Sequence, residues 1–147
     1  MPYDNRELLA RVIKCEAGGE GDSGMRAVAS VVMNRVRAAD GEYQRVGQGD
    51  LRRIVHQPGQ FNCVATTLHG RHNPQNIYNA APEPVHYEIA DWALAGGISN
   101  EVGTCLWFMN PYVPNCPSEF PRNGSGVHHA RVNQHCFYRP TRLYAST

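Results

Sequence analysis

Apolar side chains recur at a helical period as far as Gly97 and in short aromatic-rich runs beyond it, so helices and strands are segregated along the chain. Leu9, Val12, Ile13 and position 16 fall at i, i+3, i+4 and i+7, and Asp4 three residues before Glu7 has the form of a capping box. The helix they define must stop at Ala17-Gly18-Gly19. Its last stripe position holds Glu16, which puts a carboxylate on the core-facing edge. Asp22-Ser23 can cap a second, central helix carrying Met25, Val28, Ala29, Val32 and Val36. Residues 50–55 read as a short capped helix and Gln57-Pro58-Gly59-Gln60-Phe61 as a turn. Pro84 suits a first helical position, and Val85, Ile89, Trp92 and Ala93 mark a third good helix closed by Gly96-Gly97.

Between these elements, residues 40–49 are polar and glycine-bearing, and residues 66–82 mix His, Asn, Gly and Pro, with a weak helical piece around 65–69. Thr104-Cys105-Leu106-Trp107-Phe108-Met109 and Cys136-Phe137-Tyr138 suit strands, separated by a Pro/Gly/Asn-rich loop over 111–126. The expected class is α+β: a helical N-terminal two-thirds with a small C-terminal β region.

A chain of 147 residues has the length of one domain, so 1–147 is read as a single unit. Fourteen basic against thirteen acidic residues give a net charge of +1 without runs of like charge, and no nucleic-acid partner is called for. No apolar stretch approaches the roughly 18–20 residues of a membrane span. Met1-Pro2-Tyr3-Asp4-Asn5-Arg6-Glu7 has no apolar h-region, so no secretory signal is expected. The five cysteines form no CxxC pair, and an odd count leaves at least one thiol free or intermolecular. Each is otherwise read as a small buried side chain.

Glu16 has the setting of a glycosidic acid. Breaking a glycosidic bond needs a group that protonates the leaving oxygen, and a carboxyl does so near neutrality when an apolar wall disfavours its charged form. The alternative is a glutamate that frays outward at the helix end or pairs with an arginine.

Five blocks in order bear on that choice. Cys15-Glu16-Ala17-Gly18-Gly19-Glu20-Gly21, with Val32-Met33-Asn34-Arg35-Val36 behind it, resembles the E-A-x-G-E motif and N-R-V helix of the SleB/CwlJ spore-cortex-lytic enzymes. Gln57-Pro58-Gly59-Gln60-Phe61 resembles that family's Q-x-G-x-F turn, and Leu106-Trp107-Phe108-Met109-Asn110-Pro111 its aromatic strand. Cys116-Pro117 and His135-Cys136-Phe137-Tyr138-Arg139-Pro140 resemble the CwlJ branch in particular, so the resemblance spans about 8–140.

The resemblance implies a lysozyme-like, lytic-transglycosylase-like domain with Glu16 as the essential acid/base and Glu20 as the second motif glutamate. Glu20 is read as a helix-terminal group beside the site, although a two-carboxylate site, as in retaining or inverting glycosidases, stays open. Gln57, Gln60, Phe61, Trp107, Asn110 and Tyr138 are residue types suited to sugar faces and hydroxyls, and His135 is expected to pack or hydrogen-bond beside the cleft. Trp107, Phe108 and Phe61 have core packing as the alternative. The implied reaction is cleavage of the MurNAc–GlcNAc bond of spore-cortex peptidoglycan during germination, by lytic transglycosylation. The alternatives are plain hydrolysis, a metal-assisted N-acetylmuramoyl-L-alanine amidase, or a non-catalytic wall-binding coat protein. The family further implies a place at the spore coat and cortex after synthesis in the mother cell, with peptidoglycan glycan strands and a coat protein as partners.

His128, His129, His135 and Cys136 offer zinc-ligand chemistry, but their spacing matches no closed zinc motif, and neither metal nor cofactor is expected. Cys116 and Cys136, both in the C-terminal strand and loop region, are the best disulfide candidates. In an extended run His135 and Phe137 share one face while Cys136 and Tyr138 share the other, so Phe137 is read as packing inward and Tyr138 as facing sugar.

Overall fold

The computed structural model describes residues 3–147; Met1 and Pro2, at the head of the stretch read as lacking a signal, lie outside the described residues. Helix α1 (Asn5–Ala17) begins where Asp4 Oδ1 accepts from the Glu7 amide at 2.8 Å, but the Glu7 carboxylate turns to Arg11 one turn on, so only half of the capping box forms. Gly18 is its C-cap, as the glycine pair required. Helix α2 (Gly21–Val36) starts earlier than Asp22-Ser23 suggested: Glu20 stands at its N-cap, with no side-chain capping bond. Helix α5 (Pro84–Leu94) has Pro84 in its first turn and packs with α2 against α1.

Two short helices join them. α4 (Leu51–Val55) is capped by Asp50, whose Oδ1 accepts from the Arg52 amide at 2.9 Å. α3 (Gly41–Gly47) lies in the stretch read as polar linker, because Gly41 with φ +69° lets the chain turn tightly against the Tyr144 ring. The expected helical piece around 65–69 is absent. In its place stand a 3₁₀ turn over Asn62–Val64 and a two-residue ladder of β1 (Thr67–Leu68) with β2 (Arg71–His72).

The C-terminal sheet has three antiparallel strands in the order β3 (Trp107–Met109), β5 (His135–Pro140), β4 (Gly126–Val132). Trp107 pairs with Tyr138, Phe108 with Phe137 and Met109 with Cys136. β4 occupies part of the region read as loop and turns into β5 through Asn133 and Gln134, Asn133 taking φ +52°. A four-residue helix α6 (Arg142–Ala145) ends the chain and packs on α3. The architecture is the expected α+β, helical first and strand-rich last, over a continuous core that includes Leu8, Leu9, Ile13, Val28, Ile54, Ile89 and Phe137. None of the described helices is long and apolar enough to cross a membrane.

Candidate active site

The α1–α2 corner, the 3₁₀ turn and the end of β3 enclose a cleft of about 590 Å³ whose wall includes Glu16, Glu20, Arg35, Gln60, Asn110 and His135. Glu16 reaches it from the last turn of α1. Its Oε1 is buried without a hydrogen-bond partner, and burial pushes its pKa up to about 7 against the opposing effects of the Cys63 backbone and the Arg35 charge. The carboxyl therefore carries a proton for a large fraction of the time at neutral pH and can give it up. Arg35 lies beneath it on α2, buried, with Nε donating to Leu106 O at 2.7 Å and its guanidinium stacked 4.7 Å from the Tyr43 ring and 5.0 Å from that of Phe61. Burial disfavours the Arg35 charge, while Tyr43, Glu16 and Glu42 favour it.

Glu20 does different work. Its Oε1 accepts from the Gln134 amide at 3.0 Å and meets His135 Nδ1 at 2.8 Å, and its backbone oxygen accepts from Asn133 Nδ2. The N-cap of α2 thus holds the β4–β5 turn and orients the His135 ring, which also lies edge-on to Phe108 at 5.3 Å. Gln60 Oε1 is taken by Tyr43 Oη at 2.9 Å and Arg35 Nη1 at 3.4 Å, which leaves its amide N–H groups for a ligand.

Four of the residues read as sugar contacts do not line the cleft. Tyr138 is fully buried against Phe120 and its cross-strand neighbour His128, and its hydroxyl donates to Pro117 O, so it does not face sugar; residues 117–120 lie over this face of β5. Trp107 is packed between Tyr43 and Tyr144, and Phe61 is buried against Phe108 and Arg35. Gln57 turns away, its Nε2 donating to Glu42 at 2.6 Å. These are core and framework positions.

Two disulfides brace the cleft. Cys116–Cys136 is the expected pair; a second bridge, Cys15–Cys63, ties the residue before Glu16 to the 3₁₀ turn. Cys105 is free and buried. Gln75 adds a second tie, its Nε2 donating to Cys15 O at 2.8 Å, and with Asn62, Asn73 and Tyr112 it completes the wall. These came from segments without a periodic pattern, where the clustering of Asn, Gln and Pro was the only signal. Cys136, bound to Cys116, offers no thiolate, and among the described residues no three His, Cys, Asp or Glu side chains converge on a point suited to a metal.

A family model described as Cell Wall Hydrolase matches residues 19–138, a span that opens just after Glu16 and includes Glu20, Arg35 and His135. Cell wall hydrolase CwlJ of Bacillus subtilis (strain 168) is 32% identical over 135 residues, covering 92% of this chain and 84% of that protein. CwlJ of Halalkalibacterium halodurans is 32% identical over 136 residues, covering 92% and 85%. Among solved structures, the catalytic domain of the germination-specific lytic transglycosylase SleB from Bacillus anthracis superposes with a TM-score of 0.64 at 20% identity, covering 94% of this chain and 98% of that one. The catalytic domain of Bacillus cereus SleB gives 0.63 at 22%, covering 92% and 89%. The SleB likeness carries the fold, and the family model and the CwlJ relatives carry the assignment: this chain belongs to the cell wall hydrolase family.

Proposed function

We propose that the protein cleaves the bond between N-acetylmuramic acid and N-acetylglucosamine in peptidoglycan as a lytic transglycosylase, with Glu16 as its single acid/base. The observation that carries this reading is the Glu16 carboxyl itself, with its buried unpartnered Oε1 and a pKa raised to about 7 in the wall of a polar cleft. Protonated Glu16 donates to the glycosidic oxygen, which leaves as the sugar O4–H. The resulting carboxylate, steadied by the nearby Arg35 charge, removes the proton from the muramic acid C6 hydroxyl as that oxygen closes on C1. The proton returns to Glu16, a 1,6-anhydro end forms, and no water is consumed.

Glu20 supports the reaction from beside it, since an oxygen already engaged by Gln134 and His135 suits holding the cleft wall better than proton transfer. The whole chain acts as one catalytic unit in this reading. SleB of Bacillus anthracis is germination-specific and CwlJ is a cell wall hydrolase, which supports spore peptidoglycan as the substrate; action at the coat–cortex boundary and a coat protein as a partner are part of the same proposal.

Mass analysis of fragments released from purified peptidoglycan tests the mechanism. Anhydromuramic ends are expected, and Glu16→Gln should lower their rate of release at least about 100-fold. Reducing ends would mean hydrolysis, free stem peptides would mean an amidase, and a Glu16→Gln chain with half the activity would overturn the acid/base assignment.

A further inference from the structure

Tyr112 is 87% exposed, the most solvent-accessible large apolar side chain among the described residues, yet it lines the cleft that holds Glu16. Its backbone has φ +57°, a left-handed conformation that costs a non-glycine residue on the order of 1 kcal/mol or more. Nothing in the packing of this side chain offsets that, so other contacts must hold it, and they do. Asn110 Oδ1 accepts from the Tyr112 amide at 2.8 Å. Arg131 Nη1 donates to Val113 O at 3.1 Å and Pro114 O at 2.7 Å, and Cys116 is bonded to Cys136. A loop braced at three points around an aromatic ring left in water is built to present that ring.

Resting on the lytic reading above, we propose that Tyr112 is a sugar-stacking platform at the rim of the cleft, binding a pyranose ring of the glycan strand, and that Asn110 is its positioning residue. An aromatic ring offers a flat apolar face to the C–H side of a sugar, at little entropic loss when the backbone beneath is fixed. Asn110, read from sequence as a sugar contact, acts through Tyr112 in this account because its Oδ1 is already engaged.

The test uses peptide-free peptidoglycan glycan strands. Their binding is measured by calorimetry on the Glu16→Gln chain, and their cleavage on the active chain. Tyr112→Ala should weaken binding and raise KM by about three- to tenfold with kcat within twofold, whereas Tyr112→Phe should stay close to the parent. Asn110→Ala should raise KM similarly, Asn110→Asp should restore it by keeping the acceptor, and Asn110→Ala combined with Tyr112→Ala should be no worse than Tyr112→Ala alone. An exposed ring contributes little to folding, so the melting temperature of Tyr112→Ala should not change. Unaltered KM and affinity in Tyr112→Ala, or no strand binding by the Glu16→Gln chain, would overturn the proposal. Strand binding that depends on Tyr112 in a parent that cuts nothing would instead overturn the lytic reading and leave Tyr112 in place.

Discussion

Glu20 Oε1 and His135 Nδ1 stand 2.8 Å apart although 115 residues separate them in sequence. Both side chains are about nine-tenths buried, so this contact, with the Gln134 amide beside it, joins the helical corner to the sheet where solvent screens it little. Glu20→Ala should destabilise the fold by about 1–3 kcal/mol, the range for leaving buried partners unsatisfied. Glu20→Gln keeps an oxygen acceptor and should cost less. Its activity should fall far less than that of Glu16→Gln. Equal losses in Glu16→Gln and Glu20→Gln with intact thermal transitions would instead identify a two-carboxylate hydrolase.

The alkaline limb of the pH profile has a set position. Glu16 must begin protonated, and its pKa of about 7 means that kcat/KM should hold level below pH 7 and fall about tenfold per unit above it. A profile rising through pH 7 to 9 would exclude Glu16 as the proton donor.

The same carboxyl should burden the fold. Between its ordinary value of 4.5 and about 7 the native chain holds a proton that the unfolded chain has lost, so stability falls as pH rises through that window. At pH 8 the deficit is about 3 kcal/mol, and at pH 4 it is nearly absent. Glu16→Gln should thus gain melting temperature relative to the parent as pH is raised from 4 to 8. A difference that stays constant across that range would show that Glu16 is not held protonated by burial.

The two disulfides should separate in their effects. In the chain-entropy model, loops of 48 and 20 residues correspond to about 4 and 3 kcal/mol. Only Cys15–Cys63 touches the acid, because the Cys63 backbone lowers the Glu16 pKa. Cys63→Ser should therefore lower kcat and carry the alkaline limb to higher pH. Cys116→Ser should lower the melting temperature and leave that limb where it is. Exchange with Cys105 should not blur the comparison, since burial pushes that thiol up to about 12. A common shift of the limb in both variants would refute the distinction.

What was readable in the chain follows from what local pattern can encode. Helices α1, α2 and α5 advertise themselves by a long apolar stripe, and Glu16 is conspicuous because it interrupts one. β4 is not readable: Val127-His128-His129-Ala130-Arg131 lacks clean alternation, and a register shift between His128 and Ala130 breaks the period of two. The burial of Tyr138 is hidden from the sequence for a related reason. Alternation says which side chains share a face of a strand, but both faces of β5 are covered by segments distant in sequence. Tyr112 and the Cys15–Cys63 bridge depend on loops meeting in space, where no period exists to follow.

Gly24 provides the last prediction. It lies in the first turns of α2, and a Cβ there would collide with Cβ of Glu20 and come within 3.3 Å of Asn133 Nδ2. Two effects oppose each other. Alanine is the better helix former by about 0.5–1 kcal/mol. The obstructing atom, however, is fixed to the backbone rather than at the flexible end of a side chain, so relief requires moving the N-cap itself, at about 1–3 kcal/mol for an overpacked site. The clash should win. Moving Glu20 also pulls its carboxylate from Gln134 and His135, so Gly24→Ala should lower the melting temperature and reduce activity together. Combining it with Glu20→Gly removes the obstructing Cβ, and the double variant should be less destabilised than the two single effects added. If Gly24→Ala melts at or above the parent temperature, Glu20 does not need the close approach that Gly24 permits.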